Sequence, residues 1–152
     1  MSTAKTVCLG LGAVALALIV GALGFQYIGN LPPCEMCHWQ RWPLIAAAII
    51  GIVGALAAPE KFHPQIAWAV ILLVTIAGAL GVYHAGVEWK FWAGPSACTG
   101  NAYTGTFDLN APIVMCDRAA WRLFGISLAG YNAIFSLGLS GFASWLMAKS
   151  NA

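Results

Sequence analysis

Charge is what this 152-residue chain has least of: seven Lys and Arg, five Asp and Glu, 8% of the residues together. A soluble domain carries about a quarter charged residues, so a water-bathed globule is excluded. The net charge of +2 supplies no basic surface for nucleic acid, and the chain has no charge run and no low-complexity segment. Polar stretches long enough to build a separate soluble domain are missing as well. Apolar residues, by contrast, make up 61% of the chain, with a mean hydropathy of +0.80.

The apolar residues fall into four runs, about 7–28, 38–58, 65–87 and 123–147. Each suffices to cross a bilayer as a helix of about 20 residues. The pattern predicts an all-α membrane protein, one domain over 1–152, folded as a four-transmembrane-helix bundle. The first run is longer than a signal-peptide core, and Ala22-Leu23-Gly24 is a poor cleavage site, so no cleavage is expected.

Four spans put both termini on one face, and the loops at about 29–37 and 88–122 together on the other. Lys5, Lys61 and Lys149 fall on the terminal face; Arg41, Lys90, Arg118 and Arg122 fall on the loop face. The positive-inside rule does not decide between the two orientations. The second loop divides into a Gly-, Ser- and Thr-rich part and a part from Asn110 and Pro112 onward that reads as a helix start. A short amphipathic interfacial helix is expected there, with Asp117, Trp121 and Phe124 on one stripe and Arg118 and Arg122 on the next. Glycine pairs three apart (Gly21/Gly24, Gly51/Gly54, Gly78/Gly81, Gly138/Gly141) predict close helix packing in every span. Phe25, Tyr27, Trp39, Trp42, Trp89, Phe91, Trp92, Trp121 and Phe124 crowd the loop face as an aromatic belt.

Chemistry enters with the cysteines. Cys34-Glu35-Met36-Cys37 is a CxxC pair in the short first loop, and Cys98 and Cys116 lie in the second. Two pairs on one face suggest a relay of thiol–disulfide exchange, which runs by thiolate attack through a mixed disulfide. Cysteines that cycle belong in an oxidising space, which places these loops outside the cytoplasm. Cys37 at the start of the second span meets the positive end of the helix dipole, and Arg41 follows one turn later. Both favour a thiolate on Cys37 over Cys34. Pro43 either kinks that helix or marks where it begins. The mobile part of the second loop carries Cys98, and the membrane-held part carries Cys116.

An intramembrane arginine is a functional candidate by default; snorkelling to the headgroups is the other reading of Arg41. His84, near the loop end of the third span, is either an interfacial hydrogen-bonded residue or a donor to a quinone carbonyl, with Glu88 at i+4 to orient it. His63 reads as a surface residue and Cys8 as a small apolar one. Cys34 to His38 also spells CxxCH, the c-type haem attachment string, but it occurs once and leaves Cys98 and Cys116 unexplained. Zinc held by the four loop cysteines is conceivable, although their spacing is not that of a zinc finger. No metal is expected.

The motifs resemble one family. Pro33-Cys34-x-x-Cys37-x-x-Gln40-Arg41, His84-Ala85-Gly86-Val87-Glu88 with Gly94-Pro95-x-x-Cys98, and Cys116-Asp117 with Trp121 to Ser127 and Tyr131-Asn132 look like the disulfide bond formation protein B (DsbB) family. The resemblance covers essentially the whole chain, with a shorter segment between Cys98 and Cys116 than in the best-known members. It implies a bacterial inner-membrane quinone reductase, both termini cytoplasmic and the cysteine loops periplasmic. Its partner would be a periplasmic DsbA-type thioredoxin-fold oxidase and its acceptor a quinone, ubiquinone ahead of menaquinone. By position, reduced DsbA would attack Cys98, Cys116 would attack Cys34, and Cys37 would be freed beside the quinone. Arg41 would stabilise charge on a quinone oxygen, and His84 would be a further quinone contact. A vitamin K epoxide reductase-like enzyme is the nearest rival. A non-catalytic membrane protein with structural disulfides, metal or haem is the rival from another class.

Overall fold

The computed structural model describes residues 2–96, 98 and 114–150. Four long helices dominate it: α1 (Thr3–Tyr27), α2 (Glu35–Ala57), α3 (His63–Glu88) and α4 (Leu128–Ser150). A 3-10 turn, Glu60–Phe62, leads into α3, and two short strands, β1 (Arg122–Leu123) and β2 (Ile126–Ser127), precede α4.

Local chemistry sets these boundaries. Ser2 caps α1 by accepting from the Lys5 amide. Cys34 caps α2 through its own sulfur, which accepts from the Cys37 amide at 3.4 Å. The helix then runs unbroken through Pro43, so Cys37 and Arg41 do stand one turn apart on one face. Pro64 in the first turn of α3 gives up an amide that needs no partner there.

α1, α2 and the segment Glu60–Glu88 are each long and apolar enough to cross a membrane. They are apolar on both faces: in α1, Leu11 and Ala15 are buried while Leu16 and Val20 face outward, the pattern of a helix with lipid on one side. α4 is equally long, but Asn132, Ser136, Ser140 and Ser144 repeat at every fourth position along it.

α3 packs along both α2 and α4, and α1 lies against α2 and α3. The core is alanine-rich, with Ala15, Ala47, Ala67 and Ala77 fully buried. Lipid offers no hydrophobic drive between helices, so close packing must hold them. Each carbon pair contributes only about 0.1–0.2 kcal/mol, which makes unbroken contact the source of stability. A Cβ on Gly51 would lie 2.6 Å from the Cys8 carbonyl oxygen, and one on Gly81 would lie 2.9 Å from that of Ala129. Gly54 and Gly78 meet Ile66 and Leu137 as closely. The other two pairs differ from expectation: Gly21, Gly24, Gly138 and Gly141 face open space. Spacing alone reports a shared helix face, and whether a neighbour covers that face is decided by the bundle.

Two further expectations are corrected. His63 is buried, at 1% exposure; its Nε2 reaches the Ala58 carbonyl at 3.2 Å, and its own carbonyl accepts from Cys8 Sγ at 3.6 Å. The turn folds inward there because α3 starts on that residue. The amphipathic helix expected ahead of α4 is absent from residues 114–121, which form turns and bends; its expected start at 110–112 lies outside the described residues. After those turns β1 and β2 pair antiparallel, Leu123 opposite Ile126. Phe124 and Gly125, with φ of 50° and 80°, close the hairpin, the two left-handed residues that a type I′ turn requires. Gly125 takes that conformation without strain, which breaks the helical stripe exactly where the sequence pattern carried it forward.

Candidate functional site

A second buried cluster sits at the end of the bundle, apart from the alanine core: Cys34, Met36, Val87, Cys98 and Cys116. Cys98 and Cys116 form a disulfide, and the Cys116 amide donates to the Cys98 carbonyl at 2.9 Å. Cys34 and Cys37 are free thiols with sulfurs 2.9 Å apart. The sulfurs of Cys34, Cys98 and Cys116 all lie within 4.8 Å of one another. The sequence expectation of two pairs on one face is thus met by contact between the pairs. The hydrogen bond to Cys37, followed by burial, pushes the Cys34 thiol up.

The two inner cysteines face different ways. Cys34 touches the disulfide, whereas Cys37, with Arg41, lines a cleft of about 250 Å³ between α1, α2 and α4. Most of its wall is apolar, including Leu18, Gly21, Phe25, Leu44 and Phe135, and its polar groups are few: Gln40, Arg41, His84, Tyr131 and Asn132. Arg41 donates from Nη1 to Gln26 Oε1 at 2.6 Å and from Nη2 to the Ala22 carbonyl at 3.5 Å. Among the described residues no carboxylate pairs with it. A half-buried cation without a counter-ion beside a thiol is suited to negative charge developing on a ligand.

His84, 3% exposed, stands behind Cys34 with Nε2 3.6 Å from its sulfur and 3.7 Å from Glu88 Oε1. Glu88 therefore does reach His84, as its spacing suggested, and among the described residues its buried Oε2 has no hydrogen-bond partner. Lys90 pairs with Asp117 and ties the end of α3 to the residue after Cys116. Lys90 beside Asp117 holds that carboxyl below the usual carboxylate range.

A family model for "Disulfide bond formation protein DsbB" matches residues 4–146. Curated relatives named Disulfide bond formation protein B align along nearly the whole chain. That of Aromatoleum aromaticum is 28% identical over 95% of this chain and 93% of its own length. That of Burkholderia ambifaria is 34% identical over 88% and 76%. Disulfide bond formation protein B 1 of Burkholderia lata is 33% identical over 91% and 82%. No solved structure matches. The chain belongs to the DsbB family. It is a protein-disulfide oxidoreductase of the bacterial inner membrane that reoxidises a DsbA-type dithiol by disulfide exchange and passes the electrons to a quinone.

The cleft fits the quinone that a DsbB enzyme uses. It is walled by apolar and aromatic side chains for a flat ring, with a guanidinium that has no carboxylate partner among the described residues for a carbonyl oxygen, and a thiol beside both. Cys34, Cys37 and His84 also converge closely enough for a cation, but a zinc ion would hold the dithiol that DsbB must oxidise. Sulfurs joined as Cys98–Cys116 are not thiolate ligands. His38 of the CxxCH string points outward while Cys34 is buried, an arrangement that does not fold around a haem. Cys98, expected on the mobile part of the second loop, is 5% exposed and packs in one cluster with Cys34. Two residues of the sequence motifs had been assigned no role. Gln40 and Asn132 join Cys34's neighbour His84 to α4, with Gln40 Nε2 2.8 Å from His84 Nδ1 and Asn132 Nδ2 2.8 Å from Gln40 Oε1. A polar residue in the second turn of α4, heading the row Ser136, Ser140 and Ser144, is the signal that would have found Asn132.

Proposed function

We propose that the four loop cysteines work as a directional relay, Cys98–Cys116 taking electrons from the partner and Cys34–Cys37 delivering them. The observation that carries this is the division of contacts. Cys34 is the inner sulfur within 4.8 Å of both outer ones, and Cys37 is the inner sulfur that shares the large cleft with Arg41.

The steps balance. A partner thiolate attacks Cys98 and releases Cys116 as a thiolate; a second partner thiolate then resolves that bond and frees Cys98. Cys116 attacks Cys34 of the oxidised inner pair, forming Cys34–Cys116 and releasing Cys37. Cys98 attacks Cys116, restoring the outer disulfide and leaving Cys34 and Cys37 reduced. A quinone bound in the cleft would accept the two electrons and two protons released as the Cys34–Cys37 disulfide re-forms. Cys37 would face it, Arg41 would hold its oxygen, and His84 lines the same space. Cys98 must come out from beneath Cys34 for a partner to reach it. The fold we assign is a single four-span domain, with spans at about 7–28, 38–58, 65–87 and 123–147. The termini are cytoplasmic, and loops 29–37 and 88–122 face the periplasm. The partner is a periplasmic thioredoxin-fold oxidase, and ubiquinone stands ahead of menaquinone.

The test is quinone reduction by the purified protein mixed with reduced DsbA, run with ubiquinone and with menaquinone. Wild type should turn over, while Cys37→Ser and Cys98→Ser should stop. Turnover by Cys37→Ser at the wild-type rate overturns the assignment of Cys37.

A further inference from the structure

A buried chain of polar side chains runs from α4 to the cysteines and has no task in the relay above. Ser136 Oγ donates to Asn132 Oδ1 at 2.9 Å. Asn132 Nδ2 reaches both Gln40 Oε1 at 2.8 Å and the Ala77 carbonyl at 3.0 Å. Gln40 Nε2 reaches both the Met36 carbonyl at 3.1 Å and His84 Nδ1 at 2.8 Å.

The direction of every bond in this chain follows from its two fixed ends. A peptide carbonyl accepts and never donates. The Ala77 carbonyl therefore requires the Asn132 amide nitrogen, and the Met36 carbonyl requires the Gln40 amide nitrogen. Each nitrogen has two hydrogens and meets two acceptors. The second Gln40 hydrogen points at His84 Nδ1, which must be bare to receive it. A neutral imidazole carries one proton, so that proton is on Nε2. An imidazolium would add a second hydrogen on Nδ1, set donor against donor at Gln40. Among the described residues, the other groups beside this ring are Cys34 and Cys37, whose sulfurs lie within 4.8 Å of it, and Glu88, together with the Cys116 backbone.

We propose that Gln40 and Asn132 are positioning residues that lock His84 as the neutral Nε2–H tautomer, whose N–H is the donor to Cys34 sulfur as it leaves in the internal exchange. This rests on the relay reading, in which Cys116 is joined to Cys34. In the resolving step the Cys98–Cys116 bond forms, the Cys116–Cys34 bond breaks, and its electron pair stays on Cys34. That sulfur then carries charge in a site with 5% exposure, where water is not at hand to solvate it. Two donors converge there instead, the Cys37 amide at 3.4 Å and His84 Nε2 at 3.6 Å. The opposite tautomer would aim a lone pair at the departing charge. The lock also means that His84 is not the base for these thiols, because Nε2 already holds its proton.

The test uses full-length protein labelled with 15N-histidine, His84 being assigned by comparison with His84→Gln. In wild type the ring-nitrogen shifts should show a protonated Nε2 and a bare Nδ1. Gln40→Glu places a pure acceptor at Nδ1 and should draw a proton there; Asn132→Leu frees Gln40 to turn over and should give a tautomer mixture. In both variants the single-turnover resolution of Cys34–Cys116 should slow about tenfold, the size expected for a lost hydrogen bond to a charged group. A protonated Nδ1 in wild type, or no change in Gln40→Glu, overturns the lock. A reversed tautomer with resolution at the wild-type rate overturns the donor role. If Cys98→Ser, which keeps the inner disulfide and the attacking Cys116 but lacks the resolving sulfur, traps no Cys34–Cys116 bond, the relay reading fails and the donor role with it. The nitrogen shifts, which need no turnover, tell that failure from a failure of the lock.

Discussion

The two cysteine pairs carry the same chemistry in opposite settings. Cys34 and Cys37 are three residues apart at the first turn of one helix, so the helix itself sets their sulfurs 2.9 Å apart. Cys98 and Cys116 are 18 residues apart in sequence and are brought together by their disulfide, by the Cys116 amide on the Cys98 carbonyl, and by Lys90 on Asp117. A pair built into a helix keeps its geometry whether oxidised or reduced. A pair closed across a loop loses a constraint on the chain each time it is reduced. That contrast suits an inner pair that must meet a ligand in a fixed cleft and an outer pair that must open to a soluble partner.

The largest effect should come from cutting the link between the pairs. In Cys34→Ser, quinone reduction should be abolished, while one equivalent of reduced DsbA is still oxidised by Cys98–Cys116. Acid-quenched thiol trapping would show this, and DsbA left fully reduced would contradict the separation of the two pairs. Next comes Arg41→Met. The exchange with DsbA should continue, but KM for quinone should rise about tenfold or more, as expected for losing a hydrogen bond from a charged group. A changed DsbA step with unchanged KM would put Arg41 with the outer pair instead.

A third variant asks whether the inner pair depends on the bundle. Gly51→Leu forces a side chain into the Cys8 carbonyl and should lower the melting temperature in detergent by several degrees, an overpacking cost of about 1–3 kcal/mol. Gly138→Leu, facing open space, should leave melting unchanged. Equal effects would show that glycine spacing outweighs contact.

The smallest effect should come from Lys90→Met. Lys90 depresses the Asp117 carboxyl in the folded state, so its support is present above the ordinary carboxylate range and is lost as pH falls through the lowered value. An exposed pair contributes little. The outer disulfide of the variant should be slightly easier to reduce at neutral pH, and the difference from wild type should vanish in acid. A difference that persists in acid would assign the effect to something other than the ion pair.

The helices and the CxxC pair were legible in the sequence because each is local, whereas the Cys98–Cys116 disulfide was implied by the family resemblance. Long apolar runs have few folded solutions in lipid, and CxxC at a helix start fixes both spacing and dipole. The segment ahead of α4 was misread because Asp117, Trp121 and Phe124 repeat with helical spacing; the left-handed turn at Phe124 and Gly125 belongs to a hairpin that this periodicity does not reveal. His63 looked superficial for a similar reason, since its carbonyl meets Cys8, 55 residues away.

The sequence by itself determined the solvent, the helical class, the cysteine pairs and the cation one turn beyond them. Only the tertiary structure decided which inner sulfur meets the disulfide and which meets the cleft, which glycines touch a neighbour, and how His84 is held. The physical reason is range. Hydropathy, helix starts and i,i+4 spacing act within a few residues, whereas Cys34 meets Cys116, and Gln40 meets His84 and Asn132, across contacts that exist only once the helices are packed.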